Sequence, residues 1–384
     1  MAFGVLSCFT GRLASLGQAM LQGSQVAEQA INAKGGVLGK KLKLYHADTK
    51  CDEADSVPAV RKLLGNNVVG VIGPETQEIS AVKPIVTAAK IPTEFQGGST
   101  RFNTNTDPYL WRDSPSDSQL GVAMALYAHK QGYKRAALLF YSGIAAQTFK
   151  KPIMATWKKL GGSVVSNITI APDQTSYLSE VKKIIRAHPQ VIFTQTDAPT
   201  GAVVFQNFQQ LDNLAIPFIG TDVTAGKQYI KAITPPVAHK HLTSVYGTSF
   251  KGNGAKVWNQ LFTQKFGKKA SPLANANYAY DAVVSLALAM DRAGTTSGPA
   301  VNKVMRDVTN PPGPKCSSYA QCLKLLKSGK KNVNYEGASG SLNYNQHHNV
   351  FGPYGAFKVS PAGQLNQIAL LPASELRKAT PPGI

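Results

Sequence analysis

The sequence predicts an α/β protein of two doubly wound parallel-sheet lobes joined by three hinge crossings. Three observations carry this reading. Short apolar strand patterns alternate with helical ones along nearly the whole chain, and a β-α-β unit requires a right-handed crossover and a parallel sheet. The 384 residues exceed a typical single domain. Periodicity lapses and turn residues cluster near 107–115, 247–254 and 339–344, which places lobe 1 at 1–113 and 248–338 and lobe 2 at 114–247 and 339–384.

Each element has a local reason. Residues 17–33 put Val26, Ala30 and Ala33 on one side of a helix. Gly35 and Gly36 end it by supplying the positive φ of a C-terminal cap. Residues 41–46 alternate as a strand with Leu42 and Leu44 on one face, and residues 3–8 form the strand before it. Helices at 55–65 and 79–89 and strands at 68–73 and 91–95 repeat the theme. In the second lobe the pattern gives helices at 116–131, 147–160, 177–187 and 200–211, and strands at 135–141, 164–168, 191–195, 218–221 and 242–246. The run Ala136-Ala137-Leu138-Leu139-Phe140-Tyr141 reads as a strand buried on both faces. Helices at 255–266, 278–293, 301–308 and 319–327 return to the first lobe, and strands at 355–359 and 364–371 close the second.

Composition narrows the function. Hydrophobic content is 43%, and no apolar run approaches the roughly 20 residues of a membrane span. The net charge is +20, but the lysines are scattered in pairs such as Lys40-Lys41, Lys268-Lys269 and Lys330-Lys331 with no nucleic-acid-binding motif, so they read as solvated faces and nucleic acid is not an expected partner. Attraction to an anionic wall or membrane is the minor reading. Neither a Gly-x-Ser-x-Gly elbow nor a phosphate-binding Gly-Lys-Ser/Thr loop occurs, so no enzyme and no cofactor is expected. His347-His348 and the pair His239 and His241 read as exposed. Asn167-Ile168-Thr169 matches a glycosylation sequon, a pattern common by chance. Without CxxC or HxxxH spacing no metal is expected. Cys316 and Cys322, six apart, suit a local disulfide, and Cys8 and Cys51 end what should be neighbouring strands. The competing reading is four free thiols.

The runs Phe3-Gly4-Val5-Leu6-Ser7, Thr10-Gly11, Gly17, Ala30-Ile31-Asn32-Ala33-Lys34-Gly35-Gly36-Val37-Leu38-Gly39, Asp48 and Val68-Val69-Gly70-Val71-Ile72-Gly73-Pro74 together resemble the opening of a type I periplasmic binding protein. The branch resembled is the leucine/isoleucine/valine-binding group that serves ABC transporters, and weaker similarity continues to about Gly363. The resemblance implies a monomeric, non-enzymatic solute-binding protein, secreted, periplasmic or lipid-anchored, that delivers a small ligand to membrane permease subunits. The first strand follows Met1 directly, so the export signal is expected to have been removed. A ligand-sensing regulator on the same fold is the rival function, and an enzyme without recognisable motifs is the third.

In open α/β sheets, ligands bind outside the carboxyl ends of the strands. That rule selects the loops at 10–17, 74–79, 96–100, 142–148, 194–200 and 222–226. Gln96-Gly97-Gly98-Ser99-Thr100 offers close backbone approach at its two glycines and N–H donors suited to a carboxylate, against the plainer role of a strand-to-helix turn. Asp222 can bind an ammonium or cap the next helix. In the resembled family Gly98 and Thr100 match carboxylate-binding positions, Gln77 stands where serine is usual, and an acidic residue occupies the place of Asp222. Leu16, Ala145 and Thr196 stand where amino-acid binders place aromatic walls. Tyr141 or Phe140 would replace those walls only by a different geometry. Asp197 is a further acidic contact. The expected ligand is an amino acid or related small carboxylate, with a roomier pocket than a branched-chain amino acid needs.

Overall fold

The computed structural model describes residues 1–11, 14–248, 252–271 and 275–384, except the side chains of Ile144 and Ala145. It divides into two compact units, 1–116 with 249–352 and 117–248 with 353–384. The first unit opens with β1 (Ala2–Ser7), α1 (Ala14–Asn32), β2 (Lys43–Asp48), α2 (Glu53–Gly65), β3 (Val71–Ile72), α3 (Thr76–Ala88), β4 (Thr93–Phe95) and β5 (Leu110–Arg112). The second runs through α4 (Asp117–Lys130), β6 (Arg135–Tyr141), α5 (Ile144–Gln147), α6 (Lys150–Lys159), β7 (Ser163–Ile170), α7 (Leu178–Arg186), β8 (Val191–Gln195), α8 (Ala198–Gln210), β9 (Phe218–Gly220), α9 (Asp222–Ala225), α10 (Lys227–Ile233), α11 (Pro235–His241) and β10 (Leu242–Gly247). The chain returns to the first with α12 (Asn253–Phe266), α13 (Asn275–Ala293), α14 (Gly298–Thr309), β11 (Lys315–Cys316), α15 (Tyr319–Lys327) and β12 (Asn334–Tyr335), then ends in the second with β13 (Tyr354–Val359), β14 (Leu365–Leu371) and α16 (Ala373–Ala379).

The first sheet has the order β2-β1-β3-β4-β5 and is wholly parallel. The second has the order β14-β13-β10-β9-β8-β6-β7, with a parallel core and an antiparallel pair β13-β14 at one edge. Strand order reverses between β1 and β3 in one sheet and between β6 and β8 in the other, and a crevice opens at such switch points. Helix α13 is buried from Asn275 through Met290 and forms the centre of the first core with α1. A side chain at Gly23 would collide with the Ala276 carbonyl, so glycine there lets the two helices approach. Both expected disulfides, Cys8–Cys51 and Cys316–Cys322, are present. Sulfur so bonded gives a metal nothing to bind, although Glu78 lies beside Cys8 and Cys51.

Three expectations need correction. Residues 107–115 hold a fifth strand: β5 pairs with β4, Glu94 opposite Trp111, because Leu110 and Trp111 find a core on each face. Residues 339–344 remain in the first unit, and the chain leaves it only at Gly352–Pro353. The reason is bonding: Asp281 accepts from the Ser339 N–H at 2.7 Å and its Oγ at 2.6 Å, and the Tyr344 hydroxyl donates to Glu94 at 2.7 Å. The histidine pair is partly buried, not exposed. His348 stacks on Trp111 at 3.8 Å between ring centroids, and the Arg112 N–H donates to the His348 carbonyl at 2.8 Å.

Alternation along the paired strands sets Glu94, Trp111 and Asp113 on the face toward α13. A buried acidic cluster results. Glu94 accepts from the Ser285 and Tyr344 hydroxyls at 2.6 and 2.7 Å, yet burial pushes its carboxyl up to about 8. Burial likewise raises Asp281 to about 6, Glu78 to about 7, and Asp113 well above the usual carboxylate range, with the Glu94, Glu75 and Asp281 charges adding to the last. The folded chain therefore holds protons that the unfolded chain releases from about pH 4.5 upward. Stability should fall as pH rises through that point toward about 8, the folded value for Glu94. Urea midpoints measured across this window should decline, and Glu94→Gln should flatten the decline. A wild-type midpoint that rose throughout it would contradict the sign.

Candidate functional site

In the first unit the candidate site is the turn after β4. The Arg112 guanidinium, 1% exposed, donates from Nη1 to the Gly98 and Ser99 carbonyls at 3.2 and 3.0 Å, and from Nη2 to Asn103 Oδ1 at 2.7 Å. A trans peptide sets its N–H opposite its C=O. With the Ser99 carbonyl turned toward Arg112, the Thr100 N–H faces away from it, as a donor for an anion must. The Ser99 N–H is used differently, donating to Thr76 Oγ1 at 3.2 Å. A side chain at Gly97 would strike the backbone of Glu75 and Thr76, so glycine there lets the turn lie against the start of α3.

The candidates in this unit now separate. Gly98 and Thr100 are partly exposed, Thr100 opening a short 3-10 turn, whereas Ser99 is 4% exposed and its side chain is closed off. Gln77, in the first turn of α3, is partly exposed. Leu16 sits in the first turns of α1 and packs against the hydrophobic core.

Sequence reasoning placed Gln96 in the ligand loop at 96–100 but passed over Asp113 behind the turn. Gln96 and Asp113 follow β4 and β5 and are 5% and 0% exposed. Both amide atoms of Gln96 and both carboxylate oxygens of Asp113 lack a hydrogen-bond partner among the described residues. The Ser114 hydroxyl donates to the Gln96 carbonyl at 2.9 Å, and the Asp113 N–H to that of Phe95 at 3.2 Å. The apolar triplet Tyr109-Leu110-Trp111 was the available signal for the strand that places Arg112 and Asp113.

In the second unit Asp222 begins α9, directly after β9, with Thr221 in the capping position. Part of the residue reaches the surface, but protein surrounds its carboxyl, and burial pushes it up to about 6 against the lowering effect of the Val223 and Asp222 N–H groups and the Thr221 hydroxyl. It is thus an anion at neutral pH that has lost much of its water. Thr196, 1% exposed, faces inward, its hydroxyl 2.9 Å from that of Tyr229. Asp197 caps α8, accepting from the Thr200 N–H at 3.0 Å, a structural task for the carboxylate once named as a ligand contact. Ala145 lies in α5, its side chain outside the described set. Phe140 is wholly buried, but Tyr141 is partly exposed and its ring lies over Gly143, where an added Cβ would come within 2.6 Å of it. Tyr141 ends β6, at the switch point of this sheet, with its ring partly exposed and partly packed on the core.

The first unit thus presents the Thr100 N–H at the turn after β4, and the second a desolvated carboxylate at Asp222. Comparison with known proteins gives the family. A family model described as periplasmic binding protein matches residues 1–319. The Leu/Ile/Val-binding protein BraC3 of Rhizobium johnstonii is 25% identical over 250 residues, covering 60% of this chain and 67% of its own. The leucine-binding protein LivK of Thermotoga maritima superposes with a TM-score of 0.81 at 19% identity, over 98% of this chain and 99% of its own. An R. palustris solute-binding protein crystallised with benzoate reaches 0.75 at 18%, over 97% of this chain and 96% of its own.

The guanidinium of Arg112 offers a direct test. Arg112→Met removes three hydrogen bonds from a charged donor, each net about 1.5–3 kcal/mol but not additive, and should lower the unfolding free energy by about 3 kcal/mol. Arg112→Lys should recover little, since an ammonium lacks the planar fork. Urea titration measures both; a methionine variant as stable as wild type would show that the fork holds nothing.

Proposed function

Because this chain belongs to the periplasmic binding protein family, with relatives in its leucine/isoleucine/valine-binding group, we propose that it is the solute-binding component of an ABC importer and that its ligand is an α-amino acid or a near relative. The family is one of non-enzymatic solute-binding proteins that work outside the cytoplasm. No helix among the described residues is long and apolar enough to cross a membrane. The proposed protein works secreted, periplasmic or lipid-anchored and hands its ligand to permease subunits, with two lobes that close on the ligand.

Asp222 carries the amino-acid reading. An ionised carboxylate that has lost much of its water, on a residue that is itself partly exposed, holds an ammonium through charge-assisted hydrogen bonds. The Thr100 N–H and the Gly98 backbone take the ligand carboxylate. Titration calorimetry with leucine, its deaminated counterpart 4-methylpentanoate and benzoate separates the cases. Leucine or another amino acid should bind, and Asp222→Ala should weaken it by about 1.5–3 kcal/mol, roughly ten- to a hundredfold. The amine-free acids should bind weakly and ignore the substitution. Tight benzoate binding with no amino-acid binding would replace this reading with an aromatic-acid carrier, as in the R. palustris neighbour.

The same carboxyl sets a pH dependence. Asp222 is ionised above about 6 and protonates below it, while an amino acid keeps its ammonium across that range. Affinity for an amino acid should fall as pH drops through about 6, and in Asp222→Asn the fall should vanish. Calorimetry at several pH values checks this; an unchanged wild-type affinity down to pH 5 would remove Asp222 from the site.

A further inference from the structure

We propose that the end of the first unit opposite the carboxyl ends of its strands holds a second binding site, for a phosphate ester with an apolar arm. The loop from α1 to β2 lies at that end, since the Lys43 N–H donates to the Met1 carbonyl at 2.9 Å where β1 begins. Three segments border a half-open cavity of about 570 Å³ there: this loop, the last turn of α13, and α15 with the turn after it. Its size is that of a small-molecule site and exceeds what an inorganic anion fills.

The segments that border it are tied to one another by hydrogen bonds. The Leu38 N–H donates to Asp291 Oδ1 at 2.8 Å, and the Tyr319 hydroxyl lies 2.8 Å from the Gly36 carbonyl and 2.7 Å from Asp291 Oδ2. The Arg292 Nε donates to the Lys331 carbonyl, and the Cys316–Cys322 disulfide anchors α15. The apolar part of the wall is Leu38, Leu323 and Leu326.

The charge around this wall is mostly positive, although Arg292 already pairs with Asp307 at 3.8 Å. Lys34, Lys327, Lys330, Lys331 and Arg292 line the cavity, against one acid, Asp291, whose two oxygens are already engaged. Lys34, Lys330 and Lys331 have no ion-pair partner among the described residues. Lysine at a helix C-terminus complements the helix dipole, which accounts for Lys327. Lys34, Lys330 and Lys331 lie beyond the helix ends and need another reason. The basic face continues with Lys40, Lys41 and Lys43 along a neighbouring cavity of about 560 Å³. Several ammonium groups around one hollow suit the oxygens of a phosphate, and the leucines suit an attached apolar group. An anionic phospholipid headgroup and a soluble organic phosphate share this chemistry.

The experiment uses the whole chain, with phenyl phosphate as the soluble probe and phosphatidylcholine vesicles with or without phosphatidylglycerol as the lipid one. Lys330→Glu/Lys331→Glu is compared with Lys268→Glu/Lys269→Glu, an exposed pair outside the cavity. Thermal melts confirm that both variants fold, and Lys330→Gln/Lys331→Gln serves where the reversal does not. Phenyl phosphate should bind wild type, and the 330/331 reversal should weaken it at least tenfold while the 268/269 reversal changes it less than twofold. Sedimentation with phosphatidylglycerol vesicles that follows the same pattern identifies a lipid as the source; phenyl phosphate binding without vesicle binding identifies a soluble phosphate. Equal losses in the two reversals would reduce the effect to net charge and overturn the site, as would no binding of either probe.

Discussion

The parallel register of the first sheet and of the core of the second constrains everything else in this chain. Parallel neighbours cannot be joined by a tight turn, so each connection between them must cross the sheet, and all such strands end at one edge. In the first unit that edge gathers the turn after β4 and the start of α3, and in the second the loops after β6, β8 and β9. No sequence proximity is needed. Gly98 and Arg112 meet because β4 and β5 pair in register, Phe95 opposite Arg112. The guanidinium then fixes which way the turn's peptides face. A buried charge is costly unless its donors are used, and here three good acceptors surround it.

Behind that turn the first unit buries carboxyls in an otherwise strongly basic protein. Glu94 and Asp281 are held by hydroxyl and amide donors that tie α13, the 337–339 turn and Tyr344 to the sheet. These bonds keep residues 339–344 in the first unit. The cost is borne as raised carboxyl pKa values, so that near neutral pH the cluster keeps protons that exposed acids would release.

What could be read from the sequence follows from how local each signal is. The run Ala136–Tyr141 is apolar throughout, and with Arg135 before it the expected strand matches β6 to the residue. Glycines 35 and 36, at φ of 98° and 83°, end α1 as expected. The paired strand ends that bring Cys8 to Cys51 were equally legible, because parallel neighbours fix the spacing. β5 was not, since three residues with a buried arginine carry too little periodicity and only pairing with β4 reveals them. The short helices α9 to α11 failed for the same reason, four to seven residues each with a positive φ at Thr234 between the last two. Among candidate site residues, loop position selected Gly98, Thr100 and Asp222, each of which is partly exposed. It could not tell that Ser99 and Thr196 face inward, or that Asp197 caps a helix, because burial is decided by partners distant in sequence. Tyr141 was legible as an aromatic but not as one laid over Gly143.

The central claim is the proposed ligand, an α-amino acid whose carboxylate meets the Thr100 N–H and whose ammonium meets Asp222. Native mass spectrometry of protein purified without added ligand, followed by identification of whatever small molecule it retains, tests this most directly. The account predicts a molecule with both a carboxylate and an amine. A retained carboxylate with no amine would contradict it and leave Asp222 without a role in binding.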